Sequence, residues 1–271
     1  MIRETLRYHR PDSLAEATAL LAEHAGDIRV LGGGTSLIPC LTRGEIDVGH
    51  LLDLRGLGLG TIREVPDGAE IGAMVTYADV LASPVIAERV PLVARVARGI
   101  TGGRQITQQG TPVGSACFNF PTTDAPGMFA ALRARFQVAG PSGTRQVSAA
   151  DFFVDAYRIG LEPGELVTGV LVPTTKRGGY CKIKHASGSW PIATAAAVFD
   201  GAADGRLRVA LGAVQAVPLV VTADDPGQLA ERVRDAIDAP WADVLAPADY
   251  RVRVAPVVAR RAVDELLEVL P

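Results

Sequence analysis

The run Gly32-Gly33-Gly34-Thr35-Ser36 follows directly on the apolar stretch Ile28 to Leu31 and leads into Leu37, and it is the feature that most limits what this chain can become. A buried strand ends there in a turn. Glycines let the backbone approach a ligand closely and present successive amides, an arrangement that suits an anion such as a pyrophosphate. Two familiar phosphate-binding patterns are excluded by the order of residues: the dinucleotide fingerprint needs a glycine where Leu37 stands, and no Gly-Lys-Ser/Thr closes a P-loop. Because three glycines after a strand also make an ordinary tight turn, a second element is needed before the run reads as a site.

That element is Gly110-Thr111-Pro112-Val113-Gly114-Ser115, about 75 residues further on, which again pairs small residues with hydroxyls. It closes a polar, glycine-rich stretch from Thr101 to Ser115 that reads as a long loop, and long loops inside compact domains usually carry function.

The surrounding pattern is mixed α and β. Leu6 to His9 reads as a short strand. Pro11-Asp12-Ser13 then precedes Leu14, Ala17, Leu20 and Leu21 at helical spacing, with Ser13 or Asp12 as N-cap, Glu16 behind it and Gly26 as the stop. His50 to Leu54 reads as a strand, and Ile62 to Val65 and Glu70 to Ala73 form a hairpin around Pro66-Asp67-Gly68. Two helical patches run from Tyr77 to Gly99, the second opened by Pro91 and burying Val93, Val96 and Ala97. Pro126 to Arg135 reads as a helix. Phe136 to Ala139 and Leu166 to Val172 read as strands, and Pro173 to Gly179 as a boundary. Beyond it, strands are expected at Tyr180 to His185, Ile192 to Phe199 and Leu207 to Val214, and helices around Leu229 to Ile237 and Val257 to Leu270. With 271 residues, of which 48% are hydrophobic, the chain is expected to form two or three lobes: 1–57, 58–175 and 176–271.

Composition removes several function classes. A net charge of −3 with scattered basic residues offers no stripe for nucleic acid. No segment has the roughly 18 uninterrupted apolar residues of a membrane span, and the first ten residues lack the apolar core of a signal peptide, so a cytoplasmic protein is expected. Cys40, Cys117 and Cys181 are too far apart for a zinc or iron–sulfur motif and read as buried free thiols. His9, His24, His50 and His185 show neither metal-ligand spacing nor a triad, so no metal site and no catalytic side chain is expected.

Over essentially its whole length the chain resembles the FAD-binding medium subunit of the molybdenum hydroxylases, the family of carbon monoxide dehydrogenase, xanthine dehydrogenase and their relatives. The resemblance rests on the order of residues 32–39, Leu52-Asp53-Leu54, residues 71–76, and Gln105-Ile106 leading into Gly110 to Ser115. It continues through Pro121 to Pro126, Asp151-Phe152-Phe153, Leu161 to Leu166 and Lys182 to His185. It implies an α+β fold of the p-cresol methylhydroxylase type, with two N-terminal FAD-binding subdomains and a C-terminal α+β lobe closing over the flavin. Gly32, Gly33, Gly34, Thr35, Ser36 and Leu37, with Thr111, Pro112, Val113, Gly114 and Ser115, then match the two loops that hold the pyrophosphate. Asp124 matches an acid that bonds ribose or ribityl hydroxyls, and Leu166 and Val167 match apolar residues near the nucleotide. Lys184 falls on a strand approaching the flavin, where its charge could stabilise a reduced, anionic ring, and Trp190 falls where relatives often place a tyrosine against that ring.

Two departures stand out: Pro112 removes an amide and Val113 replaces a glycine in the second loop, and Cys117-Phe118-Asn119-Phe120 is unusually aromatic. The implied role is electron exit. Substrate is oxidised at a molybdopterin cofactor on a large subunit, electrons cross 2Fe–2S clusters on a small subunit, and FAD on this chain passes them to an external acceptor, in a dimer of heterotrimers. A flavin-free or weakly binding scaffold subunit is the alternative, motivated by Pro112 and Val113. A standalone flavin reductase of the related cell-wall precursor family would need a proton donor in the C-terminal lobe, and the sequence offers no convincing one.

Overall fold

The computed structural model describes residues 6–200 and 205–268. The first five elements are β1 (Arg7–His9), α1 (Leu14–Glu23), β2 (Ile28–Leu31), α2 (Leu37–Arg43) and β3 (His50–Asp53), and their strands form a parallel sheet in the order β1-β3-β2. Helix α1 starts as the sequence requires. Ser13 accepts from the Glu16 amide and Glu16 from the Asp12 amide, so two otherwise orphaned donors are satisfied. The helix stops at Glu23, with His24 as C-cap, and Gly26 at φ +90° turns the chain into β2.

Next come β4 (Ile62–Val65), β5 (Gly68–Gly72), α3 (Tyr77–Ala82), α4 (Pro84–Arg89), α5 (Pro91–Arg98), α6 (Gly103–Thr107), α7 (Pro112–Phe118) and α8 (Asp124–Ala131). The chain continues with β6 (Arg135–Gly140), β7 (Gly143–Ser148), α9 (Ala149–Phe152), β8 (Phe153–Asp155), β9 (Arg158–Ile159) and β10 (Leu166–Pro173). The β4–β5 hairpin turns at Pro66-Asp67, as expected. Strand β10 returns to lie between β5 and β6, giving the antiparallel order β4-β5-β10-β6-β7. The return brings Leu166 and Val167 back beside the first sheet's loops.

The stretch from Thr101 to Ser115 is not the single loop its composition predicts. It contains α6 and the first turn of α7, because Thr111 accepts from the Gly114 amide as an N-cap and Pro112 occupies the first helical position, where a missing N–H breaks no helical bond. Helix α8 begins at Asp124, two residues before Pro126, and ends at Ala131 instead of Arg135. Arg133, at φ +51°, reverses the chain into β6. All eight residues of α8 are buried, so it has no polar face for periodicity to reveal.

The last part comprises β11 (Gly179–Lys184), β12 (Pro191–Phe199), β13 (Leu207–Gly212), β14 (Leu219–Ala223), α10 (Leu229–Asp235) and α11 (Ala248–Glu268), with an antiparallel sheet in the order β11-β12-β13-β14. Helix α11 starts nine residues before the expected Val257 and carries Pro256 inside it. It survives the proline because Ala255, Val258, Ala259, Ala262, Val263 and Leu266 all bury against the sheet. Arg251, fully buried, further anchors it by donating to the Ile192 and Ala213 carbonyls and to Asp243. The expected helix end at Leu270 lies outside the described residues. One apolar core runs from Ala17 in α1 through the second sheet to Ala210 in β13, and a second lies under α11.

Candidate functional site

A cleft of about 1010 Å³ opens where the glycine run meets α7, β10 and the turn before β12, at the top of the roughly 300–1,000 Å³ range of small-molecule sites. Every residue proposed from sequence lines it except Pro112 and Lys184.

The two loops touch. A Cβ on Gly33 would lie 1.8 Å from the Gln109 carbonyl oxygen, so glycine there is required by loop-to-loop packing. Gly34 is glycine for a different reason, its φ of +72°. Among the described residues the amides of Gly33, Gly34, Thr35 and Ser36 donate to no protein acceptor, and the Ser36 hydroxyl makes no capping bond. This leaves four consecutive donors for a ligand anion. The second loop contributes less. Pro112 has no amide, the Gly114 amide is held by Thr111 and the Ser115 amide by the Thr111 carbonyl, which leaves the Val113 amide and the Ser115 hydroxyl.

Asp124, at the start of α8, is 5% exposed yet faces the cleft. Its Oδ1 accepts from the Tyr180 hydroxyl and, at 3.0 Å, from Lys182 Nζ, which also donates to the Gly99 carbonyl at 2.6 Å. Both bonds fall on one oxygen, so Oδ2 is available to a ligand hydroxyl. Burial, reinforced by the Asp124 charge, pushes the Tyr180 phenol far above its usual range and keeps it a donor. Tyr77 also lines the cleft. Its buried hydroxyl lies beside Ser115 but has no partner of hydrogen-bonding geometry, and burial raises its pKa as well. An unmatched buried hydroxyl in a cleft wall is a place for a ligand polar atom.

Leu166 and Val167, 2% and 3% exposed, form an apolar floor. Trp190 is 44% exposed and stands edge-on to Phe120, in a group completed by Phe118 and Tyr157. It is a wall of the cleft and not part of the buried core. Burial pushes the Cys117 thiol up to about 12 and raises that of Cys40, so neither cleft-lining cysteine is a thiolate at neutral pH. The lysine at Asp124 is Lys182. Lys184 sits off the cleft with Nζ donating to the Ser187 carbonyl, a consequence of the register shift between Ile183 and Lys184. Lys182, Tyr180 and Tyr77 were missed from sequence, although two-residue alternation along β11 would have put Lys182 and Tyr180 on one face.

Free amides, an open carboxylate oxygen, an unmatched phenol and an apolar floor suit a large ligand carrying a diphosphate, hydroxyls and a flat ring system, and these are the parts of FAD. The chain belongs to the family described as FAD binding domain in molybdopterin dehydrogenase, which it matches over residues 4–175. Among individual relatives, it is 34% identical over 97% of both chains to the carbon monoxide dehydrogenase medium chain of Afipia carboxidovorans. It is 30% identical, over 96% of both chains, to the nicotine 6-hydroxylase medium subunit of Paenarthrobacter nicotinovorans. A crystal structure of Cu,Mo-CO dehydrogenase superimposes with a TM-score of 0.90 at 35% identity, covering 98% of this chain and 99% of the other. No helix among the described residues is long and apolar enough to cross a membrane.

Proposed function

We propose that this chain is the FAD-binding medium subunit of a molybdenum hydroxylase, receiving electrons from 2Fe–2S clusters on a small subunit and delivering them to an external acceptor, while a large molybdopterin subunit oxidises the substrate. The observation that carries this reading is the run of unpaired amides at residues 33–36 facing the free oxygen of Asp124 across one cleft. Bound FAD supplies a carrier able to take electrons singly and release them in pairs. The chain's own residues bind and orient it. The first loop's amides take the diphosphate, Asp124 Oδ2 accepts a sugar or ribityl hydroxyl, Leu166 and Val167 pack against the apolar surface, and Trp190 flanks the flat ring. Tyr180 and Lys182 hold Asp124 in place. No side chain has to act as acid, base or nucleophile.

The finer reading is a p-cresol methylhydroxylase-type arrangement with FAD-binding subdomains 1–57 and 58–175 and a closing lobe 176–271, in a cytoplasmic dimer of heterotrimers. Its support is that each of the three larger sheets is drawn from one of these ranges. The deciding experiment is the visible spectrum of the purified chain, expressed alone and with molybdopterin and 2Fe–2S subunits, followed by acid release of the chromophore. Two flavin bands with stoichiometric FAD are expected. A protein that stays colourless after FAD titration and co-expression overturns the reading in favour of a scaffold subunit.

A further inference from the structure

His9, His24 and His50 are far apart in sequence and show no ligand spacing, but the fold gathers three of the chain's four histidines beside the first sheet. His9 ends β1, His24 caps α1 and His50 opens β3. One ring nitrogen from each lies within 4.8 Å of the others. The His9 and His50 rings are nearly parallel with centroids 5.1 Å apart, and the His24 and His50 centroids are 3.7 Å apart. All three are half-buried, so the nitrogens have backing yet remain reachable from solvent.

The scaffold under them is fixed by the main chain. The Asp27 amide donates to the His24 carbonyl, and the His50 amide to the Asp27 carbonyl, both at 3.0 Å. The Asp27 carboxylate accepts from the Gly49 amide at 2.7 Å, and the Arg7 amide donates to the Gly49 carbonyl at 2.8 Å. Three elements are thereby held in register before any ligand arrives, which lowers the ordering cost of binding.

We propose that His9, His24 and His50 form a binding site for a divalent first-row transition metal ion of the zinc class, separate from the nucleotide cleft. Three imidazole nitrogens suit zinc, nickel, copper or cobalt, and do not suit calcium or magnesium, which take oxygen ligands. Three protein ligands leave a fourth position for water. His9 Nε2 and His50 Nδ1 share a hydrogen bond at 2.8 Å, so one of them carries the proton. Binding moves that proton to the other nitrogen of the same ring and turns both lone pairs toward the ion, with no net change in charge on the two rings. The rings also rotate about their side-chain bonds to bring the nitrogens from the observed spread to the separation of about 3.3 Å that tetrahedral coordination needs. The ion would clip β1 and the end of α1 to β3.

The test is a zinc titration of the untagged full-length chain, by calorimetry and by competition with a chromophoric chelator, beside the variants His9→Gln, His24→Asn and His50→Gln. His24→Asn is the informative one if the strand variants fold poorly, because His24 lies at a helix C-cap, where asparagine is tolerated. The control is His185→Gln, whose ring nitrogen pairs with the Leu245 carbonyl elsewhere. Expected are one zinc per chain with micromolar or tighter affinity, a rise in Tm with zinc, at least about tenfold weakening in each cluster variant, and no change in the control. FAD content, measured in parallel, should be the same in wild type and His24→Asn, so failure of the flavin reading and failure of this one are seen separately. Absence of saturable zinc binding, or binding that persists undiminished in His24→Asn, overturns the proposal.

Discussion

At the scale of single residues, position within the packed structure separates side chains that look equivalent in the sequence. Lys182 and Lys184 are two apart on one strand, yet only Lys182 is held in the interior between the Gly99 carbonyl and Asp124. Replacing Lys182 with methionine leaves a buried carboxylate without its cation, and we expect a loss of about 3–5 kcal/mol together with weaker FAD retention. Lys184→Ala, at a half-buried site whose Nζ reaches only the Ser187 carbonyl, should cost no more than about 1 kcal/mol. Urea unfolding and flavin release on both variants check the contrast. Gly33→Ala drives a Cβ into the Gln109 carbonyl, so we expect about 1–3 kcal/mol of destabilisation and flavin loss on gel filtration. An alanine variant retaining full flavin and unchanged Tm would show that the two loops are not packed against each other.

At the scale of elements, the helix ends decide how the cleft is built. Thr111 is buried and caps α7, so Thr111→Ala should cost about 1 kcal/mol while Thr111→Ser restores most of it. Thermal melts of the pair provide the test. Helix α8 lies between the second sheet's helices and the last sheet, with Gly127 facing β13. A Cβ there finds the Gly212 amide at an ordinary 3.6 Å. Gly127→Ala should therefore gain about 0.5–1 kcal/mol from helix propensity, whereas Gly127→Leu should lose about 1–3 kcal/mol by overpacking. If leucine were as well tolerated as alanine, the tight seam between α8 and β13 would be refuted.

Across the whole molecule, three carboxylates tie separate segments together and make stability depend on acid. Burial alone would raise Asp53 and Asp243. Hydrogen bonds from Arg55 and Tyr8 to Asp53, and from Trp241, two amides and the Arg251 charge to Asp243, outweigh it, so both end below their ordinary values. Arg145, bonded to Glu165 through two nitrogens, lowers that group as well. A depressed folded-state pKa contributes stability that is fully present above the unfolded value, near pH 4, and is lost as pH falls through the folded value. The urea midpoint should therefore be insensitive to these groups between pH 5 and 7, on the order of the usual stability plateau, and fall below about pH 4. Asp243→Asn should flatten part of that fall, as parallel denaturation series at several pH values would reveal.

The sequence by itself determined the local features: the glycine run after β2, the capped start of α1, the β4–β5 hairpin and the alternation of strands and helices. Each depends on residues within a few positions of one another, through allowed backbone angles, caps and side-chain period. It also carried enough of the family's order of motifs to single out residues that line one cleft, all but Pro112 and Lys184. Only the tertiary structure decided that α11 runs through Pro256 and that Lys182 rather than Lys184 meets Asp124. The same holds for the gathering of His9, His24 and His50. These outcomes rest on packing and hydrogen bonds between residues tens of positions apart, and no local rule sees a partner that the chain reaches only after it has folded.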